Sequence, residues 1–187
     1  PTLVTGRFTG LPFEVQLGDF NEDSIKDVIV AEHGRSSLGL FIGEEGGGYG
    51  RRRSIGVGSS PNSIEVADLN SDNHLDLVAA NVFSDDVTVL LGNGDGTFSS
   101  RVFYETGEKP QNVAVDDIDN DGILDVVTAN LSDDTISILR GRGDGTFLSQ
   151  IVVDVLDQPW DIELADLNSD GNIDAVTTSR SAGKVLI

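Results

Sequence analysis

The chain has 187 residues, enough to bury a proper core, of which 38% are hydrophobic and 24% charged. Acids outnumber bases 32 to 12, and the net charge of −20 excludes the basic footprint of a nucleic-acid binder and disfavours docking on an anionic membrane. No apolar run reaches 18 residues, so no membrane span is expected, and without cysteine there is no disulfide, thiolate metal site or cysteine nucleophile.

In chain order, Thr2-Leu3-Val4-Thr5 aligns with Arg51–Ser54 on a shift of 49 residues and is expected as an outermost strand without a sheet of its own. Pro12 opens an inner strand, the acidic segment DFNEDSIKD starts at Asp19, and a glycine turn, IGEEGGGY, fills 42–49. The order then recurs with Pro61, DLNSDNHLD from Asp68 and LGNGDGTF at 91–98. It recurs again with Pro110, DIDNDGILD from Asp117 and RGRGDGTF at 140–147, and a fourth time with Pro159 and DLNSDGNID from Asp166. The spacing is 49 throughout, without gaps. The chain therefore reads as one repeat region, 1–187, with units of approximately 1–49, 50–98, 99–147 and 148–187.

Within the second unit, Ser63–Ala67 alternates apolar and polar residues, Leu77–Ala80 is a compact apolar run, and Val87–Leu91 is rich in β-branched residues. Arg101–Tyr104 completes the set. Four short antiparallel strands per unit of this length predict an all-β fold, a β-propeller of four-stranded blades stacked face to face, with a β-solenoid as runner-up. Val185-Leu186-Ile187 aligns with a third strand, so the last blade is expected to lack the strand that Thr2–Thr5 supplies in excess. That is compatible with a four-blade ring closed by its own ends, or with an excerpt of a larger ring or array, which is preferred.

Each acidic segment follows D-x-[DN]-x-D-x-x-x-D, a pattern that aims several oxygens at one point and suits a hard divalent cation. The first loop offers Asp19, Asn21, Asp23 and Asp27 with the Ile25 carbonyl; the second offers Asp68, Asn70, Asp72 and Asp76 with the His74 carbonyl. The third offers Asp117, Asp119, Asp121 and Asp125 with the Ile123 carbonyl; the fourth offers Asp166, Asn168, Asp170 and Asp174 with the Asn172 carbonyl. Gly122 and Gly171 stand where the loop needs positive φ, as do Asn73 and Ser24, so the first loop should be the most strained. Mutual repulsion of the carboxylates calls for a counter-ion, and Ca²⁺ in about four sites is expected; solvated Asx-turns are the plain alternative. The loops are not EF-hands, because position 12 holds Val30, Ala79, Thr128 and Thr177 rather than Glu.

DLNSDNHLDLVAAN with VTVLLGNGDGTF, and DIDNDGILDVVTAN with ISILRGRGDGTF, resemble the FG-GAP/VCBS repeats, the calcium-loop blades also found in the integrin α-subunit propeller. The resemblance covers essentially the whole chain and implies that the loop positions named above bind Ca²⁺ between the first and second strands of each blade. The first unit departs from it, with Gly46 where Asp95 and Asp144 stand.

Other features have plainer readings. Arg142-Gly143-Asp144 spells an adhesion tripeptide but coincides with the glycine turn, and Asn130-Leu131-Ser132 is a glycosylation sequon or a coincidence. Phe13, Asn62, Gln111 and Trp160, each following a repeated proline, should face the central mouth, sealing it or stacking on a sugar or peptide. Arg51–Arg53 should lie on an outer strand with alternate side chains solvated, a charge contact with an acidic neighbour being the weaker option. No catalytic constellation is present, so an enzyme is not expected. The function expected is that of an extracellular, calcium-binding module for adhesion, ligand binding or surface assembly, with a protein or glycan ligand or neighbouring copies as partners. An accessory module of a secreted hydrolase and a filament subunit are the alternatives.

Overall fold

The computed structural model describes residues 10–155, 157–181 and 183–187; the expected strand at Thr2–Thr5 lies outside them. Among the described residues every regular element is a strand. The first unit contributes β1 (Leu11–Gly18), β2 (Asp27–His33), β3 (Ser37–Phe41), the ribbon β4 (Gly43–Glu44) and β5 (Gly48–Tyr49), and β6 (Arg53–Gly56). The second contributes β7 (Pro61–Ala67), β8 (Asp76–Asn81), β9 (Asp86–Leu90) and β10 (Val102–Glu105). The third has β11 (Pro110–Asp116), β12 (Asp125–Asn130), β13 (Thr135–Leu139) and β14 (Ile151–Asp154). The fourth has β15 (Pro159–Ala165), β16 (Asp174–Ser179) and β17 (Lys184–Leu186). Apart from the ribbon, these form three four-stranded sheets and one three-stranded sheet, all antiparallel meanders.

The second strand of each interior sheet is covered on both faces, which is why Asp76–Asn81 and Asp125–Asn130 are buried throughout and their middles, Leu77–Ala80 and Val126–Ala129, do not alternate between apolar and charged residues. The inner strands β1, β7, β11 and β15 neighbour one another in series, and three apolar layers lie between the sheets. Ile64 packs back onto Ile29, Leu38 and Leu40; Val113 onto Val78, Val87 and Val89; Ile162 onto Val127, Ala129 and Ile136. A side chain on each inner strand also accepts from the next strand's backbone. The Ile64 N–H donates to Glu14 Oε2 at 2.6 Å, the Val113 N–H to Ser63 Oγ at 3.3 Å, and the Ile162 N–H to Asn112 Oδ1 at 3.3 Å. Among the described residues the outward sides of the two end sheets are exposed, at Val15 and Leu17 on the first and at Val185 on the fourth.

Arg52 takes the weaker of the two expected options, a charge contact with an acidic neighbour. It forms a two-point ion pair with the fully buried Glu32, at 2.8 Å through Nε and again through Nη2, and Ser37 donates to the same carboxylate at 2.9 Å. Glu32 stands where the other units carry Asn81, Asn130 and Ser179, and a buried carboxylate needs such a partner.

Candidate metal centre

Each acidic loop joins the first strand of a sheet to its second, and all four fold alike. The first aspartate accepts from two successive backbone N–H groups: Asp19 from Asp23 and Ser24 at 3.1 and 2.8 Å, and Asp68 from Asp72 and Asn73 at the same distances. Asp117 does so from Asp121 and Gly122 at 3.0 and 2.8 Å, and Asp166 from Asp170 and Gly171 at 3.1 and 2.9 Å. The fifth-position aspartates Asp23, Asp72, Asp121 and Asp170 turn into their own loops, each accepting at 2.8 Å from the N–H of Ile25, His74, Ile123 or Asn172. These bonds hold Asp72 and Asp170 below the usual carboxylate range.

Position six has positive φ in every loop: 67° at Ser24, 70° at Asn73, and 86° at Gly122 and Gly171. Position four is left-handed as well, at Glu22, Ser71, Asn120 and Ser169, none of them glycine; the sequence reading missed this. Two left-handed residues per loop tighten the turn until the N–H groups converge on the first aspartate.

The ninth-position aspartate is a staple across the sheet, a role the sequence reading did not assign. Asp27 accepts from Phe20 and Gly43 at 2.9 and 2.7 Å, Asp76 from Leu69 and Gly92 at 2.8 and 2.7 Å, and Asp125 from Ile118 and Gly141 at 3.3 and 2.8 Å. The glycine is required by the close approach, since a Cβ at Gly92 or Gly141 would lie 2.3 Å from the carbonyl oxygen of Leu75 or Leu124. Burial raises the pKa of Asp76 and Asp125. Among the described residues Asp174 keeps only its bond from Leu167, at 3.2 Å.

In the third loop, Asp117, Asp119 and Asp125 bring carboxylate oxygens to within 4.8 Å of one another, while Asp121 stands outside the group. Arg140 Nη1 lies 2.9 Å from Asp119 Oδ2 and offsets part of that charge. The other loops have Asn at position three, and in the first of them Asn21 Oδ1 is buried without any hydrogen-bond partner. A buried orphan acceptor is costly, and a cation between positions one, three and nine would satisfy it. The donor set is oxygen only, so the residues fit a hard divalent ion. The first loop is tied to the second, and the third to the fourth. His74 pairs with Glu22, which raises the pKa of the imidazole, and Asn120 Nδ2 donates to Gly171 O at 3.1 Å.

Two motifs resolve as structural. Asp144 accepts from the Thr146 N–H at 2.9 Å inside a turn repeated at Asp95 and Thr97, so the Arg142–Asp144 tripeptide is part of the framework. Asn130 is fully buried and donates to Thr135 Oγ1 and Ser137 Oγ at 3.0 and 2.8 Å, which rules out the sequon as a glycosylation site in the folded protein.

Comparison with solved structures finds propeller-like neighbours of low identity, which share the fold. A lectin of Agrocybe aegerita that recognises non-reducing terminal N-acetylglucosamine is 20% identical with a TM-score of 0.58, covering 86% of this chain and 45% of its own. BBS1N in complex with ARL6DN is 14% identical with a TM-score of 0.61, covering 95% and 55%. A protein from Lactobacillus plantarum is 18% identical with a TM-score of 0.57, covering 94% and 55%. The chain thus spans about half the length of these structures. Comparison with curated proteins gives no significant match. Residues 19–79, 68–128 and 117–177 each match the FG-GAP-like repeat, overlapping windows that together cover the four loops from Asp19 to Asp174, and the chain belongs to the FG-GAP-like repeat family.

Proposed function

We propose that this chain is a non-catalytic, extracellular ligand-binding and adhesion module, built as consecutive propeller blades whose acidic loops hold Ca²⁺ as a structural ion. The observation that carries the reading is the convergence of Asp117, Asp119 and Asp125, together with the orphaned Asn21 Oδ1 at the equivalent point of the first loop. Calcium suits an all-oxygen cage that is larger and less strictly octahedral than magnesium prefers. About four sites would take the formal charge of −20 halfway to neutral at most, so the ion relieves repulsion within each loop rather than across the surface. Binding energy at such loops becomes folding energy, and weak sites suffice where calcium is millimolar. The fold is one that the Agrocybe lectin uses to recognise a sugar, which supports ligand binding over a purely structural role.

Differential scanning calorimetry tests the proposal. The melting temperature should fall on addition of EDTA and return with excess Ca²⁺ but less fully with Mg²⁺. A melting curve indifferent to chelation refutes the calcium reading.

A further inference from the structure

Every inner strand carries a β-bulge directly after its repeated proline: the pairing register jumps between Pro12 and Val15, Pro61 and Ser63, Pro110 and Asn112, and Pro159 and Asp161. A bulge adds an unpaired residue and re-aims its side chain. The residues so placed are Phe13, Asn62, Gln111 and Trp160, four different side chains on an otherwise constant frame, and together they line one pocket of about 200 Å³ at the inner edge of the stack.

The pocket is internally organised. His33 Nδ1 donates to Asn62 Oδ1 at 2.6 Å, and Asn62 Nδ2 donates to Gln111 Oε1 at 2.8 Å. The chain ends on Gln111, whose residue is 8% exposed. Gln111 lines the pocket, and with its Oε1 taken by Asn62 its side chain offers the amide nitrogen there as a donor. Across from it stand the carboxylates of Glu14, whose Oε2 also holds the Ile64 N–H, and of Asp161, from opposite ends of the stack. Phe13 and Trp160 supply the apolar walls; the Arg180 guanidinium covers one face of the Trp160 ring at 4.5 Å.

We propose that this pocket binds a single sugar ring of a glycan. A pyranose offers hydroxyl donors to the carboxylates, a hydroxyl or ring oxygen to the Gln111 amide, and an apolar C–H face to an aromatic wall. An ammonium group would leave the amide donor unpaired, and a drug-sized ligand needs at least about 300 Å³. The inference rests on the ligand-binding reading above and names its ligand class; it is independent of the calcium, because the bulges lie at the start of each inner strand and the acidic loops at its end.

The test is saturation-transfer NMR and titration calorimetry of the whole chain in millimolar Ca²⁺, with the methyl glycosides of glucose, galactose, mannose and N-acetylglucosamine as probes and N-acetyl-lysine methyl ester as the cationic control. At least one glycoside should bind, Trp160→Ala should abolish the signal, and the near-isosteric Asp161→Asn should weaken it about tenfold or more. Melting curves of both variants, with and without EDTA, establish that they fold. The proposal is overturned if no glycoside binds, if binding survives both substitutions, or if only the lysine ester binds. Retained EDTA sensitivity without sugar binding removes this inference alone, whereas loss of EDTA sensitivity removes the calcium reading whatever the sugars do.

Discussion

Val15 and Ile64 occupy the same place in successive units, 49 residues apart, yet Val15 is 57% exposed and Ile64 is fully buried. The same contrast recurs along the stack. Leu69, the second residue of an interior acidic loop, is buried, whereas its counterpart Leu167 is 51% exposed. Interior and terminal units have nearly one sequence but different energetics, because a sheet of this size cannot cover its own faces and derives its stability from neighbours. The repeat therefore specifies an interface, and each sheet's share of stability depends on how many of its faces are occupied.

Substitutions at matched positions sharpen that contrast. The largest effect is expected from Ile64→Ala, which opens a cavity between the first two sheets and should cost about 2–5 kcal/mol in denaturant unfolding, against less than about 0.5 kcal/mol for Val15→Ala. Equal losses at the two sites would break the comparison. Next come the staples. Asp76→Ala orphans the Leu69 and Gly92 N–H groups and should cost about 3 kcal/mol, whereas Asp174→Ala, with one bond at stake, should cost about 1 kcal/mol.

Glu65, half-buried on β7, gives a pH-dependent version of the contrast, since burial first and then Glu14 and Glu163 push its pKa from 4.5 to about 7. Between those values the folded state binds more protons than the unfolded one, so this group's contribution falls as pH rises through the window and levels off above it. Glu65→Gln should therefore stabilise the chain by about 1–2 kcal/mol at pH 8, allowing for solvent screening, and leave it unchanged at pH 4. A gain that is the same at both values would show that packing, and not charge, is responsible. The smallest effect is local: Ser24→Gly relieves a left-handed serine and should shift stability by no more than about 0.5 kcal/mol, whereas Gly122→Ala should cost about 1 kcal/mol.

Much of this is legible in the chain because a repeat states each rule several times. The strands around Ser63–Ala67 and Val87–Leu91 follow from alternation and β-branching, and the left-handed sixth loop position follows from Gly122 and Gly171. Glu32 and Arg52 were not readable as a pair, because their meeting depends on how the outer strand β6 lies against β3. The sequon at Asn130 stayed open in the sequence for the converse reason, since a three-residue motif says nothing about burial.

The sequence by itself determined the 49-residue period, the all-β character and the position of every acidic loop, because these depend on side chains near one another in the chain. Only the tertiary structure decided which oxygens converge, which aspartates staple a glycine turn, and that Glu14 and Asp161 join Phe13 and Trp160 around one pocket. Those are distances between residues far apart in the chain, and only the packing of one sheet on the next sets them.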